Sequence, residues 1–100
     1  MSDLEVWRKK IDEIDLKLVE LLNERAHCAR EIGKIKLHMG LDAYTPEREE
    51  EVMRNVTSHG QGPLSAAAIR RLYERIIDES RSVERVFMET QKKKKSKENS

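Results

Sequence analysis

Six charged side chains in this sequence of 100 residues stand where a helical repeat calls for apolar residues, or directly beside such positions. Stepping alternately by three and four from Leu4 gives Trp7, Ile11, Ile14, Leu18, Leu21, Arg25, Cys28, Ile32, Ile35 and Met39, and Arg25 is the one permanent charge in that series. Lys36 follows eleven residues after Arg25, which at about 100° per residue sets the two almost in line. Arg8 flanks the seam beside Trp7. Further on, Val52, Met53 and Val56 project back by helical steps to Arg48 and Glu49. The stripe Ile69, Tyr73, Ile76, Val83, Phe87 passes through Ser80 and beside Glu84, one turn apart on the same face.

Taken singly, each has an ordinary structural reading. An arginine in a helix seam snorkels or pairs with a carboxylate, and a cation beside a seam forms an interhelical salt bridge or is solvated. Taken together they do not balance. Burying cations without neutralisation costs several kcal/mol each, and the inward carboxylates Glu49 and Glu84 are fewer than Arg8, Arg25, Lys36 and Arg48. A small ligand with two carboxylates would restore the balance, and arginine is suited to gripping a carboxylate bidentately. The sequence has no Ser-His or Cys-His pairing at helical spacing, no glycine-rich phosphate loop and no metal-ligand cluster, while His27, His38 and His59 are scattered. Nucleophilic and metal mechanisms therefore have no candidates, and no metal or cofactor is expected. Electrostatic stabilisation and positioning of a bound anion remain.

The elements that must hold these groups are helices. Charged residues make up 39% of the chain and aromatics 4%, a balance that points to an all-α domain covered by solvated charge. A first helix is expected from about Ser2 or Asp3 to Met39, where Gly40 ends it. At 1.5 Å per residue it is about 54 Å long, whereas a compact domain of this size has a radius of gyration of about 13 Å. Its stripe repeats every 3.5 residues over five heptads, so it would overhang a monomer and expose a large apolar patch. A homodimer in which two long helices cover each other is the natural solution. "TPERE" starts a short second helix with Thr45 as N-cap and Pro46 in the first turn, ending before "SHGQGP". A third helix is expected from near Ser65 to about Thr90. Residues 1–90 form the helical domain, and the lysine-rich 91–100, with no apolar residue to bury, is expected to be disordered.

Net charge is +1 with the signs interleaved, so the body of the chain lacks the basic field that nucleic acid needs. No apolar run approaches a membrane span and the N-terminus lacks the apolar core of a signal peptide; a soluble cytoplasmic protein is expected. Cys28, the single cysteine, is read as a small buried hydrophobe on the stripe.

The stretches "LEVWRKKIDEIDLKLVELLNERAHCAREIGKIK", "TPERE" and "IIDESRSVE" resemble the all-helical AroQ class of chorismate mutase over about residues 4–88. The resemblance implies an intertwined dimer of three-helix chains with two shared active sites, and conversion of chorismate to prephenate by a Claisen rearrangement without covalent catalysis. It implies that Arg25 binds the side-chain carboxylate, that Arg8 reaches from the partner chain to the ring carboxylate with help from Ser80, and that Lys36 hydrogen-bonds the ether oxygen. Glu49 would accept from the ring hydroxyl and Arg48 would orient its neighbours. Two positions depart from the common bacterial pattern. Thr45 stands where aspartate is common, at a site that mainly offers its backbone N–H. Glu84 stands where glutamine is common, and only its protonated form could donate to the ether oxygen.

Three other readings fit parts of the sequence. An isochorismate-pyruvate lyase has a similar fold and a related dicarboxylate substrate. A regulatory module would sense chorismate or prephenate for another shikimate-pathway enzyme, with the lysine-rich end as a linker. That end as a basic arm for nucleic acid is weakly supported, since it has no interleaved aromatics.

Overall fold

The computed structural model describes residues 2–60 and 62–98. Three helices follow in order, α1 (Asp3–Met39), α2 (Pro46–Thr57) and α3 (Ala66–Glu98). The Ser2 side chain accepts from the Glu5 N–H at the start of α1, with Asp3 and Glu5 favouring the positive end of the helix. Gly40 ends it in the left-handed region at φ 68°, a conformation that glycine adopts without steric cost. The Gly40 and Leu41 N–H groups then close on the Leu37 and Lys36 carbonyls. Pro46 opens α2 as expected, and the Ser65 hydroxyl accepts from the Ala68 N–H to start α3.

The third helix departs from expectation at its end. Helix continues past the expected end near Thr90 to Glu98, so residues 91–98 are helical, while 99–100 lie outside the described residues. Absence of apolar residues removes a reason to pack but not a reason to stay helical. A helix already nucleated propagates through good formers such as Lys and Gln, and Lys95 and Lys97 complement its negative end.

Both α1 and α2 pack on α3, and not on each other. On the α1 side of the contact with α3 the buried residues are small. The α1 residues buried there are Ala29 and Gly33, and a Cβ added at Gly33 would stand 3.2 Å from Glu84 Cα and 3.3 Å from the Glu84 carbonyl oxygen. Backbone thus meets backbone. The core is small, with Ala29, Met53, Ile77 and Met88 as its buried hydrophobics among the described residues.

Among the described residues the apolar members of the α1 stripe find little cover. Every residue from Asp3 to Glu24 is exposed, and along the stripe Trp7 is 61% and Met39 66% exposed. Cys28, on the same stripe, is exposed in the single chain, because α1 turns Ala29 and Gly33, each one position on from the stripe, towards α3. The radius of gyration is 18.1 Å and the extents 65 × 30 × 15 Å, far from a compact sphere of this length.

Gly33→Ala is expected to destabilise the protein by about 1–2 kcal/mol through overpacking against the α3 backbone, although alanine is the better helix former by about 1 kcal/mol. Thermal melts of the two proteins at equal concentration decide it; a variant that melts higher would mean that α3 gives way freely.

Candidate active site

Between the second half of α1, the start of α2 and the middle of α3 lies a cavity of about 450 Å³. Its lining includes Arg25, Lys36, Thr45, Arg48, Glu49, Ser80 and Glu84, with Cys28, Ala29, Ile32, Val52 and Ile77 as the less polar walls. Seven of the eight expected site residues are therefore together. The eighth, Arg8, is not. It sits in the uncovered half of α1, paired with Glu5 at 3.3 Å, and 17 residues of helix put it about 25 Å from Arg25 along the axis.

The close contact at Gly33 aligns the two helices in the same direction, and polar pairs form across it on either side. Roughly two turns before it, Arg25 Nη1 donates to Ser80 Oγ. One turn after it, Lys36 Nζ stands 2.7 Å from Glu84 Oε1, with the two side chains only 15% and 13% exposed. Lys36 also donates to the Ala43 carbonyl at 2.8 Å and to Thr45 Oγ1 at 2.9 Å. The ammonium therefore ties α1 to the connection before α2 as well as to α3. Thr45 is the N-cap residue as expected, yet its side chain makes no capping bond to the helix; its hydroxyl serves Lys36 instead. Glu84 Oε1 is buried with no hydrogen bond directed at it. Its contact with Lys36 is an ion pair, and the two groups expected at one substrate oxygen are here turned towards each other.

Glu49 does not stand free. Arg81 Nε donates to its Oε2 at 2.8 Å and Arg81 Nη2 to its Oε1 at 2.6 Å, a fork-on-carboxylate pair that is mostly buried on both sides. The hydrogen bonds from Arg81 to Glu49 push the guanidinium above its ordinary value, against an opposing effect of burial. Arg81 also lines the cavity and was not among the expected site residues. Its spacing held the signal, because Ile77, Ser80, Arg81 and Glu84 follow the i, i+3, i+4, i+7 pattern of a single helix face. Arg48 lies at the rim, exposed and paired with Glu51.

The cavity lining thus carries four cations, Arg25, Lys36, Arg48 and Arg81, against two carboxylates, Glu49 and Glu84. Cations thus exceed carboxylates by two within the lining, and Arg48 and Arg81 also pair with Glu51 and Asp78 outside it. Arg25 is the cation whose hydrogen-bond partner is a neutral hydroxyl, and so the one most in need of an anion.

Residues 7–85 match the family model for chorismate mutase type II. The chain belongs to this family. It is 42% identical over 79 residues to the bifunctional chorismate mutase/prephenate dehydratase of Neisseria gonorrhoeae, a match covering 78% of this chain and 21% of that protein. It is 36% identical over 89 residues to the protein of the same name from Aquifex aeolicus, covering 85% and 25%. The chain thus spans between a fifth and a quarter of the length of these curated relatives. The solved structure of chorismate mutase (Form II) from Thermus thermophilus superposes with a TM-score of 0.81 at 32% identity, covering 83% of this chain and 94% of that one. The all-helical architecture is thus that of the type II chorismate mutases, and among the described residues no helix is long and apolar enough to cross a membrane.

The two cations of the α1–α3 seam are expected to differ in what they do for stability. Lys36→Met removes the partner of a buried carboxylate and should cost about 3 kcal/mol, lowering the melting temperature by more than about 10 °C. Arg25→Ala removes a charge held only by a hydroxyl and should leave the ligand-free melt within about 3 °C. Equal losses in both variants would show Arg25 to be a structural residue.

Proposed function

We propose that the chain is a chorismate mutase acting as a homodimer with shared active sites, and that it converts chorismate to prephenate by holding and polarising the substrate. The observation that carries this reading is the cavity itself, in which seven of the expected residues meet and Arg25 is held by a neutral hydroxyl, its charge open to an anion. No nucleophile is needed, because the rearrangement is pericyclic and requires no cofactor. The work falls to orientation and to stabilising charge on the ether oxygen as the C–O bond breaks.

In this reading Arg25, steadied by Ser80, grips the side-chain carboxylate and Arg8 of the partner subunit the ring carboxylate. Lys36 donates to the ether oxygen, for which it must turn from Glu84. Glu49 accepts from the ring hydroxyl, Arg48 orients the groups at the rim, and Thr45 keeps Lys36 in place. The dimer is supported by the uncovered stripe from Leu4 to Met39, since a monomer would leave its large apolar side chains in water. Likeness to bifunctional chorismate mutase/prephenate dehydratases supports a further association with an enzyme that consumes prephenate. A cytoplasmic location is part of the same proposal.

Loss of chorismate absorbance on incubation with the purified protein tests the activity. Isochorismate turned into salicylate and pyruvate, with chorismate untouched, would instead mark the chain as a lyase. The shared site has a test of its own. Arg8→Ala and Arg25→Ala proteins should each be nearly inactive, yet unfolding and refolding them together should restore about a quarter of wild-type sites, because half the dimers are mixed and each has one intact site. A mixture as dead as its parents, or a monomer by sedimentation at micromolar concentration, would overturn the shared geometry.

Glu84→Gln replaces an acceptor paired with Lys36 by a side chain that also carries donors. It should therefore retain activity on chorismate, measured as loss of substrate absorbance; a folded variant without turnover would show that the carboxyl group itself is needed.

A further inference from the structure

We propose that Arg81 is a positioning residue for the reaction: it aims the Glu49 carboxylate at the substrate hydroxyl and cancels a charge that would otherwise repel a dianionic substrate. The inference rests on the reading of Glu49 as acceptor for that hydroxyl. Its geometric basis is the fork. One edge of the guanidinium meets both oxygens, Nε to Oε2 at 2.8 Å and Nη2 to Oε1 at 2.6 Å. A carboxylate has about four lone-pair sites, so a fork on two of them leaves the others free on the opposite side. Glu49 can therefore accept a further hydrogen bond while its plane stays fixed.

Arg81 is itself held from two other directions. Asp78 Oδ1, one turn earlier in α3, accepts from Nη2 at 3.1 Å. The Tyr44 ring lies with its centroid 5.2 Å from the Arg81 Cζ, within cation–π range. A guanidinium anchored on three sides is poorly placed to leave Glu49 for a ligand. Its contribution is made through Glu49.

The charge count points the same way. Without Arg81 the lining would hold Arg25, Lys36 and Arg48 against Glu49 and Glu84, an excess of one cation; with it the excess is two. A bare Glu49 would offset one of the cations that bind the substrate, whereas the paired Glu49 offers lone pairs without a net charge.

Steady-state kinetics on chorismate for wild type, Arg81→Met, Arg81→Lys, Glu49→Gln and the combined variants test this. Arg81→Met should raise KM about tenfold by unmasking the Glu49 charge, and adding Glu49→Gln should bring KM back to that of Glu49→Gln alone. Arg81→Lys keeps the charge and loses the fork, so KM should stay within about threefold while kcat falls about tenfold; in the Glu49→Gln background that fall in kcat should vanish. Circular dichroism checks folding, and if Arg81→Met does not fold, the lysine series carries the test unaided. Losses that multiply in the combined variants, with an active wild type, overturn the role of Arg81 alone. A wild type inactive on chorismate overturns the reading of Glu49 and this inference with it.

Discussion

The backbone approach of α1 to α3 at Gly33 is the constraint on which the site depends. With a Cβ there, the nearest α3 atom would be at 3.2 Å, so the interaxial distance is set by the missing side chain. Ala29, buried one turn earlier, keeps the contact close. Only at that separation do Arg25 and Ser80 meet on one side and Lys36 and Glu84 on the other. Pushing the helices apart by a few tenths of an ångström would cost contact energy steeply and loosen both polar pairs together. The same glycine that weakens α1 as a helix by about 1 kcal/mol therefore fixes the geometry of the cavity.

With so small a core, the charged groups of the cavity are also fasteners. Helix α2 touches α3 and not α1, and is bound to its neighbours by the buried Met53, by the Glu49–Arg81 fork and by the Lys36 bonds to Ala43 and Thr45. A ligand that draws Lys36 away from Glu84 competes with a contact that stabilises the fold. Such a ligand would bind less tightly for that competition, because Lys36 must exchange its Glu84 contact before it can donate elsewhere, while its bonds to Ala43 and Thr45 keep the ammonium at the cavity. Arg25 is the exception, because a neutral hydroxyl satisfies its hydrogen-bonding without balancing its charge.

How much of this could be read from the sequence follows from what periodicity reports. The heptad stripe gave α1 with its true ends, and caps and proline gave α2, because large apolar residues and turn chemistry leave strong local signals. The polar interruptions of those stripes led to the cavity residues, and the family resemblance to their expected roles. Gly33 was visible only as the lone glycine of the helix; a contact made by small residues adds nothing to an apolar pattern. Arg81 stands beside a stripe, where a charged residue reads as solvated, and only the fold brings Glu49 to it. The end of α3 lies beyond the pattern for a third reason. Apolar periodicity marks where a helix is buried, not how far it propagates.

The uncovered half of α1 and the missing Arg8 are a single problem. Arg25, Cys28 and Ile32 belong to the stripe and also line the cavity, so whatever covers the stripe closes the cavity wall. Arg8 lies beside the same stripe, about 25 Å along the helix from Arg25, where it can serve no site of its own chain. An antiparallel pairing of two α1 helices on their stripes would bring the Arg8 region of one beside the Arg25 region of the other. Burial of apolar surface and completion of the site would then be one event. A ligand that bridges the two copies must tighten the dimer by as much as dimerisation tightens the ligand, since the linkage is reciprocal. Assembly and substrate affinity in such a protein cannot be tuned separately, because the residues that supply one form the surface that supplies the other.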